Sequence, residues 1–248
     1  MKKIVCLCMA VLLVMAALSG CGAAPNKSNQ DDSMASSEAT AQNESITASD
    51  QSNESGSSEI GSETGKSLVV YFSMPETTSP ENMSREEELS TVVIDGEVLG
   101  NTQYVAMVIA ENIGADIFRI EPVTPYPLDY SELEDIAQRE QGEDARPEIA
   151  GEVENINQYD IIFFGFPNWY YDMPMIMYSF LDQYDLSGKT IAPFVTSGGS
   201  GFSDAISTIT EMEPEANVVE NGLSISRNVV QDAESDILQW LADNGFVQ

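Results

Sequence analysis

The stretch YDIIFFGFPNWYYDMP, residues 159–174, decides how the rest of the chain is interpreted. Its first half, residues 159–165, is a short run of isoleucine and phenylalanine that ends at a glycine, which predicts a buried β-strand. Its second half places three consecutive aromatic residues, 169–171, between two prolines. Such a loop either plugs the end of a sheet or receives a flat ligand, and its position after a central strand favours the ligand.

Strands and helices alternate on both sides of this stretch, which predicts one α/β domain over residues 67–248 with five parallel strands and helices on both faces of the sheet. From apolar runs and helical periodicity we place the strands at 67–73, 116–121, 159–165, 189–196 and 218–225, and the helices at 101–113, 131–141, 175–184, 203–212 and 232–244. Ligands of doubly wound sheets lie beyond the carboxyl ends of the strands. The loops after the first, third and fourth strands are therefore the candidate site.

The loop after the first strand carries Ser73 and Thr77, and the next helix begins at Gly100-Asn101-Thr102. Hydroxyls and free amides at a helix N-terminus can hold a phosphate without a basic side chain. The alternative is that Asn101 or Thr102 only caps the helix. Residues 74–99 form an insertion, within which Asp95-Gly96 predicts a β-hairpin turn.

The loop after the fourth strand reads Thr196-Ser197-Gly198-Gly199-Ser200-Gly201. Glycines lack a Cβ atom, so the backbone amides of this loop can approach a ligand closely. A flexible turn is the alternative. The loop does not match the dinucleotide fingerprint, which follows the first strand, so we predict no nicotinamide site here.

The residue composition of the chain limits the kinds of catalytic and metal site that it can form. The chain has 41 acidic and 10 basic residues and no histidine, and its three cysteines all lie within the first 21 residues. These facts exclude histidine-dependent nucleophiles and zinc sites from the folded part, as well as disulfide and iron-sulfur chemistry. We assign no catalytic residue and no metal ligand, and we expect the chemistry to belong to a cofactor. The negative surface disfavours nucleic acid as a partner.

Taken together, the strand ending in Tyr71-Phe72-Ser73 and the three loops resemble the flavodoxin-like family. The resemblance implies a sheet of order 2-1-3-4-5 and flavin mononucleotide (FMN) as the cofactor. Its phosphate would lie on Ser73, Thr77, Gly100, Asn101 and Thr102. Its ring would lie between Pro167, Asn168, Trp169 and Tyr170 on one side and Thr196, Ser197, Gly198, Gly199, Ser200 and Gly201 on the other.

Three functions remain open. The first is electron transfer to a redox partner protein or a small-molecule acceptor, with Asp172 and the acidic surface lowering the reduction potential and attracting basic partners. The second is an FMN-dependent oxidoreductase that passes hydride from NAD(P)H to a quinone. The third is a binding module that has lost the flavin. Related folds host both carriers and enzymes, so the fold does not decide among them.

The N-terminus predicts export and a lipid anchor. Residues 1–20 have a short basic start and an apolar segment, as signal peptides do, and Leu18-Ser19-Gly20-Cys21 resembles the bacterial lipobox. An ordinary secretory peptide is the alternative. Residues 21–66 are rich in serine and acidic residues and predict a disordered tether that begins at a lipidated Cys21. We therefore expect the domain at the extracytoplasmic face of the cell membrane.

Overall fold

The computed structural model describes residues 65–74, 81 and 83–247. The predicted signal peptide, Cys21 and nearly all of the predicted tether lie outside these ranges. Within them, no helix is both long enough and apolar enough to cross a membrane.

The described residues form nine strands and six α-helices. The strands are β1 (Ser67–Phe72), β2 (Thr91–Ile94), β3 (Glu97–Gly100), β4 (Asp116–Pro122), β5 (Ile149–Ala150), β6 (Ile161–Pro167), β7 (Thr190–Ser197), β8 (Asn217–Val218) and β9 (Leu223–Ser226). The helices are α1 (Arg85–Ser90), α2 (Asn101–Ile113), α3 (Tyr130–Gly142), α4 (Met175–Gln183), α5 (Ala205–Met212) and α6 (Glu234–Asp243).

The main sheet confirms the predicted strand order. Strands β4, β1, β6 and β7 are parallel neighbours in that order, and both β8 and β9 pair with β7. Two details differ from the prediction. Strand β5 adds an antiparallel edge beside β4, and the predicted fifth strand is broken into β8 and β9. The break contains Glu220-Asn221-Gly222, three residue types with low strand propensity.

Each central strand is buried on both faces, which explains its continuous apolar sequence. Along β1, Leu68, Val70 and Phe72 face a core shared with α3, α4 and α5, whereas Val69 and Tyr71 face a second core shared with α2 and α6. Alternate side chains of a strand point to opposite faces. The sheet is therefore covered by helices on both sides, as the doubly wound class requires.

The described part of the insertion contains α1 and the hairpin β2-β3. The hairpin is confirmed, with Asp95 and Gly96 at positive φ in its turn and Thr91 paired with Gly100. Helix α1 was not predicted. It begins with a capping box in which Glu87 N donates to Ser84 Oγ and Ser84 N donates to the Glu87 carboxylate.

Candidate functional site

A cavity of about 660 Å³ opens at the carboxyl ends of β1, β6 and β7. Its volume falls within the range of pockets that hold small ligands and cofactors. It is lined by Ser73, Met74, Leu89, Ser90, Asn101, Thr102, Tyr130, Leu133, Glu134, Ala137, Pro167, Asn168, Trp169, Tyr170, Tyr171, Thr196, Ser197, Gly198, Gly199, Ser200 and Arg227. The lining has a polar end, where β1 ends and α2 begins, and an aromatic end in the loop after β6.

The polar end is built from Ser73, Asn101 and Thr102, all of which are buried. Ser73 fits there only because residue 100 is a glycine. A Cβ atom at Gly100 would lie 2.0 Å from Ser73 Oγ and 3.2 Å from the Met74 carbonyl oxygen. Gly100 therefore shapes the wall of the cavity without lining it.

Neither Asn101 nor Thr102 caps α2, so that interpretation is wrong. The N-cap is Gly100, whose N–H donates to Gln103 Oε1 at 3.1 Å. Thr102 Oγ1 lies 2.8 Å from Thr196 Oγ1, which links the helix start to the end of β7. Asn101 Nδ2 donates at 3.0 Å to the carbonyl oxygen of Leu89, so this side chain is held by the insertion.

The Asn101 side-chain amide indicates which ligand group the polar end can bind. Its Oδ1 atom is buried and has no hydrogen-bond partner among the described residues. Because the amide nitrogen is committed to Leu89, Oδ1 remains an acceptor and suits a ligand hydroxyl. The backbone N–H groups at the start of α2 suit an anion, and the first turn of this helix contains no acidic residue. A phosphorylated polyol fits this combination.

The aromatic end is a tight hairpin. Trp169 and Asp172 exchange backbone hydrogen bonds of 2.9 and 3.0 Å, and the two residues between them, Tyr170 and Tyr171, have φ angles of 50° and 67°. A two-residue turn of this kind normally uses asparagine and glycine, because a Cβ atom disfavours positive φ. The turn leaves Tyr170 50% and Tyr171 71% exposed at the mouth of the cavity.

Trp169 is fixed by two edge-to-face contacts. Its ring centroid lies 5.3 Å from that of Phe72 and 5.2 Å from that of Tyr126, each with an interplanar angle of 89°. The Tyr126 hydroxyl donates to Glu140 at 2.9 Å, and burial raises the pKa of both Tyr126 and Glu140 above their ordinary values. Trp169 is thus oriented by the protein before any ligand binds.

Asp172, expected to contribute a negative charge near the ring, has internal partners. Its carboxylate accepts the Met173 N–H at 2.7 Å and the Tyr178 hydroxyl at 2.8 Å, and it is not among the residues that line the cavity. The carboxylate that does line the cavity is Glu134 on α3.

The glycine turn is organised by Ser197. Its Oγ accepts the N–H groups of Gly199 at 3.2 Å and Gly201 at 3.0 Å. Asn168 Nδ2 donates to the Gly201 carbonyl oxygen at 2.9 Å, which joins this turn to the aromatic loop. Two of the amides expected to face a ligand are therefore used inside the turn. Gly199 and Gly201 have φ of 137° and 58°, which favours glycine at both positions.

The structure brings together all but three of the predicted site residues. Thr77 lies outside the described residues, while Gly100 and Gly201 shape the walls without lining them. Sequence analysis missed the lining contributed by the insertion (Met74, Leu89 and Ser90), by α3 (Tyr130, Leu133, Glu134 and Ala137), by the aromatic loop (Tyr171) and by the segment after β9 (Arg227). On α3 the helical spacing of Tyr130, Leu133 and Ala137 was a signal that these side chains share a face.

Comparisons with known proteins agree with this geometry. The family model described as Flavodoxin matches residues 91–244. A presumed flavoprotein from Bacteroides eggerthii is 28% identical, covers 71% of this chain and 96% of its own, and has a TM-score of 0.54. One from Bacteroides uniformis is 27% identical, with 68% and 96% covered and a TM-score of 0.52. No curated protein matches the sequence.

The family match spans more than half of the 248 residues and includes the two loops and the helix start that line the cavity. The strand order and the position of the cavity at the carboxyl ends of the strands agree with it. The chain therefore belongs to the flavodoxin family.

Proposed function

We propose that this chain binds FMN in the 660 Å³ cavity and takes part in electron transfer at the outer face of the cell membrane. The observation that carries the proposal is the division of one cavity into a buried polar end and an aromatic end. FMN has the matching division, with a phosphorylated polyol at one end and a flat ring at the other. When bound, FMN supplies the redox chemistry that the side chains cannot.

At the polar end, the protein would bind the phosphate and the polyol with uncharged groups. The Ser73 and Thr102 hydroxyls and the first amides of α2 would donate to phosphate oxygens, and Asn101 Oδ1, which is unpaired among the described residues, would accept from a polyol hydroxyl. Thr196 orients the Thr102 hydroxyl across 2.8 Å. No basic side chain is needed there because the helix N-terminus already carries a partial positive charge.

At the aromatic end, Trp169 and Tyr170 would pack against the ring and exclude water from one of its faces. The Phe72 and Tyr126 contacts keep Trp169 in place, so little conformational entropy is lost when the ring binds. The glycine turn forms another wall of the cavity. Because Ser197 holds that turn from inside, the wall is also formed in advance.

Electron transfer is testable with the FMN-loaded chain and a basic acceptor protein such as cytochrome c. The chain is reduced anaerobically with dithionite and mixed with the oxidised acceptor at increasing ionic strength. The excess of acidic residues predicts rapid electron transfer that slows as salt screens the attraction. Absence of electron transfer, or a rate that does not respond to salt, would contradict the carrier hypothesis.

A second candidate is the NAD(P)H-dependent quinone oxidoreductase. The exposed side chains of Tyr170 and Tyr171 favour it, because they leave an aromatic surface at the cavity mouth where a second substrate could stack. Steady-state turnover of the FMN-loaded chain with NADH or NADPH and a soluble quinone decides between the two functions. An enzyme turns over repeatedly, whereas a carrier does not.

The membrane attachment is proposed from the sequence alone, because Cys21 lies outside the described residues. The lipobox-like Leu18-Ser19-Gly20-Cys21 supports a diacylglycerol anchor at Cys21. Replacing Cys21 by serine should move the protein out of the membrane fraction of cells. Unchanged fractionation would refute the anchor.

A further inference from the structure

Arg227 lies at the glycine-turn wall of the cavity. It directly follows β9, and its backbone N–H donates to the Ser197 carbonyl oxygen at 2.9 Å. Its side chain lies across Gly198, where a Cβ atom would come within 3.0 Å of Arg227 Cζ and 3.2 Å of Nη2. Among the residues that line this cavity, Arg227 alone is basic.

Among the described residues, the guanidinium has no hydrogen-bond or ion-pair partner that would explain its position. Its Nε atom is buried without a hydrogen bond, and no carboxylate of the described residues forms an ion pair with it. By contrast, Arg146 pairs with Asp144 and Asp182. In a chain with 41 acidic residues, an arginine that lines a cavity without pairing with a carboxylate of the described residues is unusual, and a buried donor left unpaired is unfavourable. The guanidinium is therefore available to a ligand.

The strand order separates Arg227 from the polar end of the cavity. Ser73 follows β1 and Arg227 follows β9, and the order β1-β6-β7-β9 places three strand spacings between them. At about 4.8 Å per spacing, the two strand ends are roughly 14 Å apart. Arg119, which donates to the Ser73 and Met74 carbonyl oxygens at 3.5 and 3.4 Å, lies nearer the polar end but does not line the cavity.

We propose that Arg227 binds the carbonyl-bearing edge of the flavin ring and selectively stabilises the reduced ring when that ring carries a negative charge. This inference rests on the proposed binding of FMN. Two electrons and one proton, supplied by a reductant and the solvent, give the ring one negative charge, and a second proton neutralises it. A guanidinium at the ring edge favours the charged form and raises the midpoint potential. This increase opposes the decrease in midpoint potential that is expected from the acidic surface.

The test compares Arg227→Gln with the parent chain in binding titrations with FMN and with riboflavin, which has the same ring but no phosphate. Midpoint potentials are measured with dithionite as the reductant. Arg139→Gln on α3 is the matched control, because that arginine is exposed and outside the cavity. Gly198→Ala is a second variant, which keeps the charge but displaces the guanidinium. Thermal unfolding of the ligand-free proteins verifies that each is folded.

We expect Arg227→Gln to weaken FMN and riboflavin binding by a similar factor of about tenfold. The affinity for the reduced ring should fall by a further tenfold, which corresponds to a midpoint potential about 30 mV lower for a two-electron couple. Gly198→Ala should shift the potential in the same direction, and Arg139→Gln should not.

Three results would overturn the inference. Loss of FMN affinity with unchanged riboflavin affinity would assign Arg227 to the phosphate. Unchanged affinities and potential would remove Arg227 from the site. A parent chain that binds neither compound would instead overturn the proposed function, and that result is distinguishable because it does not depend on the variant.

Discussion

Trp169 is the residue on which the ring-binding hypothesis depends most. We expect Trp169→Ala to weaken FMN binding by about 1–3 kcal/mol, the range for aromatic stacking on a base, which is roughly 5- to 150-fold in Kd. Fluorescence titration with FMN measures this change. Trp169→Phe is the control that keeps a flat ring and should retain most of the affinity. Equal affinity in the alanine variant would show that Trp169 does not contact the ring.

Gly100 is required by the packing of Ser73. Gly100→Ala should lower the free energy of unfolding by about 1–3 kcal/mol, because its Cβ would collide with Ser73 Oγ. The double variant Ser73→Ala/Gly100→Ala should recover part of that loss. Urea denaturation gives these values, and Gly142→Ala is the control, because a Cβ atom there meets nothing within 4 Å. A Gly100→Ala variant as stable as the parent would mean that the Ser73 side chain can move to accommodate the added Cβ atom.

Most of the candidate site was predictable at the level of single residues, because residues that follow parallel strands meet at one edge of the sheet. Arg227 was not predictable in this way. The predicted fifth strand was placed at 218–225, and one arginine after a short strand has no sequence pattern of its own. The unexpected partners of Asp172 and Asn101 depend on which side chains meet across the fold, and local sequence does not encode that.

At the scale of elements, the Trp169–Asp172 hairpin has strained backbone angles at Tyr170 and Tyr171 and exposes both side chains. Replacing Tyr170 by asparagine and Tyr171 by glycine should raise the stability of the ligand-free protein by about 1 kcal/mol, since both positions have positive φ. The same change should weaken FMN binding because it removes two aromatic rings from the cavity. Thermal unfolding and FMN titration of the same samples test both effects. A variant that is less stable than the parent would contradict the assignment of strain.

The contact between Tyr126 on the α3 side of the sheet and Glu140 within α3 predicts a dependence on pH. Burial raises the pKa of Glu140 in the folded state, so the folded protein binds its proton more tightly than the unfolded chain does. The free energy of unfolding should therefore decrease as pH rises from about 4.5 through the raised pKa. Glu140→Gln should remove this contribution, which is less than about 1 kcal/mol because the side chain is partly exposed. Parallel stability curves for both proteins between pH 4 and 8 would contradict it.

The strands and long helices were predictable because the central strands are apolar on both faces and the helices carry apolar stripes. Helix α1 was missed because Arg85–Ser90 buries no side chain, and its only sequence signal is the Ser84–Glu87 capping box. The antiparallel β5 has two residues, Ile149 and Ala150, too few for a periodic pattern. Its place beside β4 is decided by tertiary packing.

At the scale of the whole molecule, the proposed function combines three features: the acidic charge, the flavodoxin fold and the predicted anchor. The excess of 41 acidic over 10 basic residues gives the chain a negative field, which we expect to attract basic partners. The fold brings three loops to one edge of the sheet, and the cofactor brings the chemistry that a chain without histidine lacks. The central claim is that this edge holds FMN.

Equilibrium binding of FMN to the purified, ligand-free chain tests that claim most directly. The account predicts one FMN per chain, with quenched flavin fluorescence and a perturbed visible spectrum, and tighter binding of FMN than of riboflavin because the polar end holds the phosphate. A chain that stays colourless after incubation with excess FMN, and leaves flavin fluorescence unchanged, would contradict it.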